Sequence, residues 1–146
     1  QTASEDVAFS YTLPSGTFTD ADAGDSLVLT ATLANGDALP SWLTFDAETQ
    51  SFAGTPANGD VGQLDLVVTA VDAGGLSATQ SLRVNVANVN DAPMAVGVIV
   101  APGASENTNY SFVIPTGSFA DVDTGVSLRF TATLANGDPL PSWLSL

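Results

Sequence analysis

Apolar and polar residues alternate along Leu27-Val28-Leu29-Thr30-Ala31-Thr32-Leu33, the period of two that a strand with one buried face requires. The same period places Leu64, Leu66, Val68 and Ala70 on one face with Asp65 on the other, and Leu82, Val84 and Val86 opposite Arg83 and Asn85. Shorter extended candidates are Phe9–Leu13, Leu43–Phe45 and Ser51–Ala53. Turn residues separate these runs at Asn35-Gly36-Asp37, at Pro56 to Asp60 and at Asp72-Ala73-Gly74-Gly75, where Asn, Asp and Gly tolerate or favour the backbone reversal. No window of helical length carries a 3.6-residue period. Short strands with turn signals every 8–12 residues or so predict an all-β sandwich.

The pattern repeats. Ala3-Ser4-Glu5 recurs as Ala104-Ser105-Glu106, and the offset of 101 holds without a gap to the end of the chain, with 25 identities over 43 aligned pairs. Among them are Phe18/Phe119, Asp20/Asp121, Asp22/Asp123 and Leu39 to Leu43 against Leu140 to Leu144. The copies also show which face is which: Val28 becomes Arg129 while Leu29 becomes Phe130, so Leu27, Leu29, Ala31 and Leu33 point inward. The predicted architecture is an immunoglobulin-like Greek-key β-sandwich of about seven strands at 1–91, followed at 92–146 by the linker end and the N-terminal half of a second copy. In that half, a strand through Leu128, Phe130, Ala132 and Leu134 is expected to leave its inner face and its edges uncovered, a surface suited to a homodimer.

Composition narrows the partners. Sixteen acidic residues face two basic ones, Arg83 and Arg129, with no Lys or His, for a formal charge of -14. Such a surface repels nucleic acid and anionic lipid and attracts divalent cations. With 45% apolar and 12% charged residues the chain can bury a core. No Cys is present, so neither a disulfide nor a thiolate site holds the fold. The longest apolar run, Met94 to Val100, is far short of the roughly 20 residues of a membrane span. Gln1 opens no signal-peptide pattern, and the chain is expected to be a piece of a longer array.

Without His, Cys or Lys, most nucleophile–base pairs and soft-metal sites are absent, and carboxylates remain. Asp20-Ala21-Asp22 and Asp121-Val122-Asp123 set two acids on one side of extended chain. Calcium takes about six to eight oxygens, so each pair needs further ligands. The linker Asn88-Val89-Asn90-Asp91-Ala92-Pro93 offers them and ends in a Pro that constrains entry into the second copy. The plainer reading makes these acids turn and capping residues.

Ala70 to Ser77, the strand Arg83 to Ala87 and the linker Asn88 to Pro93 together resemble the end of a cadherin repeat. Phe18 to Asp22, Leu39 to Asp46 and Phe52 to Pro56 resemble the dystroglycan-type cadherin-like domain of bacterial surface proteins and polysaccharide-degrading enzymes. The resemblance implies Ca2+ at the junction, with Glu5, Asp60, Asn88, Asn90, Asp91, Asp121 and Asp123 as ligands, and a second set, Asp20, Asp22 and Asp72, facing a preceding module. The mid-repeat segment Gly54 to Asp60 departs from the acidic pair of classical cadherins, which puts one ion in doubt. The implied function is a calcium-binding structural and adhesive repeat of an extracellular protein, secreted or at the cell surface, whose partners are neighbouring modules. The rival is a carbohydrate-binding module with polysaccharide as ligand. Trp42 and Trp143 are the aromatics that reading needs, but their Leu-Pro-Ser-Trp-Leu setting predicts packed core or rim residues. Adjacent loop acids lack an apolar cleft to separate their roles, so no enzyme is expected.

Overall fold

The two longest alternating runs form a hairpin with each other. In the computed structural model, which describes residues 1–22 and 24–146, they lie in the first of two compact units, Gln1–Asn90 and Asp91–Leu146. Unit 1 holds β1 (Thr2–Ser4), β2 (Phe9–Thr12), β3 (Val28–Leu33), β4 (Leu43–Asp46), β5 (Ser51–Gly54), β6 (Gly62–Val71) and β7 (Ser77–Ala87), with one 3-10 turn at Asn58–Asp60. One sheet runs β1-β7-β6-β3 and the other β2-β5-β4. Facing sheets with this order make unit 1 an immunoglobulin-like β-sandwich.

The alternation lands as expected. Leu29, Leu66, Val68, Ala70, Val84 and Val86 are buried, whereas Val28 is 63% exposed. Phe52 of β5 is fully buried against Phe45, ring centroids 4.7 Å apart. Burying each large side chain of this kind contributes about 1.5–3 kcal/mol. On the outer face, Asp65 and Arg83 stand opposite each other across β6 and β7 and form a bidentate ion pair, with Arg83 Nε 2.7 Å and a terminal nitrogen 3.2 Å from the two carboxylate oxygens.

Pairing also creates structure that alternation does not signal. β1 is three residues long and adds in parallel to β7, Thr2 opposite Asn85. β7 starts at Ser77, and its polar first half, exposed from Ser77 to Gln80, is held by the ladder to Val68–Val71.

Unit 2 departs from expectation. No strand spans 128–134; the regular pairing is β8 (Met94–Ala95) against β9 (Phe119–Ala120), with one isolated bridge, Thr133 to Pro139. In unit 1 the corresponding strand, β3, is held along its length by β6. Unit 2 contains no counterpart of β6, so a strand here would leave its backbone groups without partners. Phe130 is 51% and Leu134 43% exposed, and Phe130 stands against Phe119 with ring centroids 5.5 Å apart. Among the described residues no helix is long and apolar enough to cross a membrane.

Candidate cation site

At the end of unit 1 from which the chain leaves β7, three backbone bonds fix the N-terminal segment. Glu5 N–H donates to Ala87 O (3.1 Å), Asp6 N–H to Pro56 O (2.8 Å) and Val7 N–H to Ser4 O (3.3 Å), with Asp6 in the left-handed region at φ 58°. The resulting reversal turns the Glu5 side chain inward, where it is 0% exposed. One carboxylate oxygen, Oε1, accepts the Val89 N–H at 2.6 Å; the other, Oε2, is buried and accepts no hydrogen bond. A buried carboxylate with one unsatisfied oxygen is costly unless a positive charge offsets it. Arg83 does not serve: it is engaged by Asp65, whose carboxyl it holds below the ordinary value, while Arg83 itself is raised by that bond.

The other expected ligands of this end differ. Asp60 closes the 3-10 turn, its Oδ2 accepting the Ala57 N–H at 2.9 Å while its own N–H donates to Ala57 O. Its carboxylate therefore already serves a local turn. Asn88 and Asn90 lie exposed in the segment leaving β7.

At the opposite end of unit 1, the β6–β7 hairpin carries Asp72, which shares a concavity with Asp20, Phe18, Leu27 and Leu76. Asp20 also borders a second depression with Asp22 and Asp25. One oxygen of each key acid is used locally: Asp72 Oδ1 accepts the Leu76 N–H and Asp20 Oδ1 the Asp22 N–H, both at 2.8 Å.

Unit 2 gathers Asp91, Asp121 and Asp123. The β8–β9 pairing draws the start of the unit beside the Asp-x-Asp turn, so that the Asp91 N–H donates to Asp123 Oδ2 at 2.8 Å and the Asp123 N–H to Asp121 Oδ1 at 3.0 Å. Asp123 is 7% exposed. The Asp121–Asp123 turn reproduces that of Asp20–Asp22, yet only Asp123 is buried.

The tryptophans divide. Trp42 is half-buried against the core, its backbone pressed onto β5 so closely that a Cβ on Gly54 would lie 1.8 Å from the Trp42 carbonyl oxygen. Trp143 corrects the expectation of a packed residue: it is 68% exposed, because unit 2 has no counterpart of β5 to seat it. It borders an open polar concavity with Glu106, Asn107, Asn109 and Tyr110. Alternation and spacing carried no signal for the burial of Glu5, which was named only through the family resemblance; a lone acid beside Ala3 and Ser4 reads locally as solvated.

A family described as "Putative Ig domain" matches residues 1–87 and again 92–146. Among curated proteins none matches the chain. Among solved structures, a variant of an endo-fucoidan hydrolase of glycoside hydrolase family 107 is 29% identical with a TM-score of 0.49, covering 61% of this chain and 12% of that one. Another form of that enzyme is 25% identical with a TM-score of 0.45, over 61% and 12%. The chain thus spans about an eighth of the length of these enzymes.

Proposed function

The chain belongs to the "Putative Ig domain" family along both of its copies, and from that premise we propose that it is a calcium-binding, cadherin-like structural and adhesive repeat of a secreted or cell-surface protein, without catalytic activity. The observation that carries this reading is Glu5, a fully buried carboxylate with one oxygen unsatisfied at the end of the sandwich that leads into the linker. In a chain of charge -14 with two basic residues, a divalent ion is the available counter-charge. Glu5 and the linker oxygens of Asn88 and Asn90 supply hard ligands from unit 1. Asp91, Asp121 and Asp123 supply them from unit 2, where the Asp91 N–H donates to Asp123 and the Asp123 N–H to Asp121. Ligation through the linker removes torsional freedom from it, which is how an ion stiffens an array. Asp20, Asp22 and Asp72 are the equivalent set for a preceding module.

The test is the thermal unfolding midpoint in chelator and then in millimolar calcium, with magnesium as control, because an ion that binds only the folded state raises it. A calcium-specific rise that Asp91→Ala and Asp123→Ala abolish is expected. An unchanged midpoint overturns the reading and leaves the acids as solvated turn residues.

Trp143 favours a second reading, a carbohydrate module, since an exposed indole beside Tyr110, Asn107 and Asn109 has the makings of a sugar platform. Retention on insoluble polysaccharide in chelator, lost in Trp143→Ala, supports it; no retention on any glycan leaves the structural reading alone.

A further inference from the structure

Two of the three Asn-Gly steps of the chain lie in the same turn of the two copies. At Asn35-Gly36-Asp37 and at Asn136-Gly137-Asp138 the glycine N–H donates to a leucine carbonyl, Gly36 to Leu33 O at 2.9 Å and Gly137 to Leu134 O at 2.8 Å. The asparagine side chain is held alike in both. Asn35 Nδ2 donates to Asp37 Oδ2 at 2.6 Å and the Asp37 N–H to Asn35 Oδ1 at 3.0 Å; for Asn136 and Asp138 the distances are 2.8 and 3.1 Å. Each amide therefore has its oxygen under a backbone N–H and its nitrogen against a carboxylate. Gly36 and Gly137 adopt φ 90° and 88°, and a Cβ on either would meet nothing within 4 Å. Both turns are exposed, so the glycine nitrogen beside each amide is unshielded.

We propose that Asn35 and Asn136 are self-modification sites, converted by the folded turn to a mixture of aspartate and isoaspartate through a cyclic imide. The glycine N–H first leaves its leucine carbonyl, which local opening of an exposed turn allows without unfolding β3. The nitrogen, having lost its proton to solvent, attacks the asparagine Cγ. The new N–Cγ bond puts negative charge on Oδ1, where the N–H of Asp37 or Asp138 receives it. The Cγ–Nδ2 bond then breaks, and the departing nitrogen takes a proton relayed from solvent through the carboxylate it touches and leaves as ammonia. Water opens the imide at either carbonyl, giving aspartate or isoaspartate. The product sets a carboxylate oxygen against Asp37 or Asp138 in place of the amide donor, and adds one negative charge per turn to a chain already at -14, so the turn loosens as it converts. Asn58-Gly59 is the internal contrast. An acid again stands two residues after the asparagine, but the Asp60 N–H donates to Ala57 O and Asp60 Oδ2 accepts the Ala57 N–H. Asn58 is also half-buried in its 3-10 turn.

The experiment incubates the full chain in heavy-oxygen water at neutral pH, folded and in denaturant, and follows each Asn-Gly step by peptide mass spectrometry with ammonia release as a second readout. In the folded chain Asn35 and Asn136 are expected to convert at least as fast as in denaturant, and Asn58 about tenfold more slowly than either. In denaturant the three rates converge. Asp37→Asn keeps the backbone N–H and removes the carboxylate, and circular dichroism verifies that it folds. It is expected to slow Asn35 several-fold in the folded chain, to leave Asn136 unchanged and to have little effect in denaturant. One common rate for the three steps of the folded chain, folded rates at Asn35 and Asn136 below those in denaturant, or an Asp37→Asn variant whose Asn35 converts as fast or faster each overturns the proposal.

Discussion

Replacing Glu5 by Gln separates the cost of a buried charge from the benefit of an ion. The amide keeps an acceptor for the Val89 N–H, which Glu5 Oε1 now receives at 2.6 Å, and removes the charge at the buried oxygen that accepts nothing. An unsatisfied buried polar group costs about 1–3 kcal/mol, and more when charged. In chelator, Glu5→Gln should therefore stabilise unit 1 by about 1–2 kcal/mol once the new amide N–H2 is allowed for. At about 4–8 °C per kcal/mol for a domain of this size, that is a rise of several degrees. In calcium the order reverses: at a hundred times Kd the native chain gains about 2.7 kcal/mol, and the variant, having lost a ligand, gains little. Unfolding followed by circular dichroism in the two conditions should give curves whose ranking crosses. If the variant is the less stable protein in chelator as well, Glu5 is satisfied without an ion and the reasoning from its burial fails. Equal calcium shifts in both proteins would remove Glu5 from the ligand set.

Gly54→Ala places a Cβ 1.8 Å from the Trp42 carbonyl oxygen and 2.8 Å from its carbon; backbone cannot swing aside, so a loss of about 1–3 kcal/mol or more is expected, and an unchanged melting temperature would show that β5 does not lie this close. Asp65 is held below the ordinary 3.8 chiefly by its hydrogen bond to Arg83, and Asp46 is lowered chiefly by the Thr49 N–H. Both depressed groups favour the native state above 3.8 and lose that contribution as pH falls through their lowered folded values. Asp65→Asn should therefore flatten part of the acid limb, its unfolding curve converging with the native chain's at the lowest pH; parallel curves would mean the ion pair contributes nothing, as many exposed pairs do.

Period-two alternation was enough to place the inner faces of β3, β6 and β7, because a half-buried strand must alternate whatever its neighbours are. It could not announce β1 or the polar start of β7, which exist only because a partner ladder is beside them. The candidate acids were legible as a group from their spacing and from a family resemblance. Which of them are buried was not, since Glu5 and Asp123 owe their burial to chain brought in from 84 and 32 residues away, at Val89 and Asp91.

The two copies make this division within one molecule. Sequence alone determined the turns: the Pro-x-Gly-Thr/Ser, Asp-x-Asp and Asn-Gly-Asp segments close the same hydrogen bonds in both units, because each reversal is satisfied by residues within a few positions of itself. Tertiary structure alone decided the strands. Val28 to Leu33 pairs as a strand where β6 stands beside it, and the corresponding Arg129 to Leu134, which differs from it at two positions, does not where no such ladder runs. A strand's backbone groups and its apolar face are satisfied only by a neighbour distant in sequence.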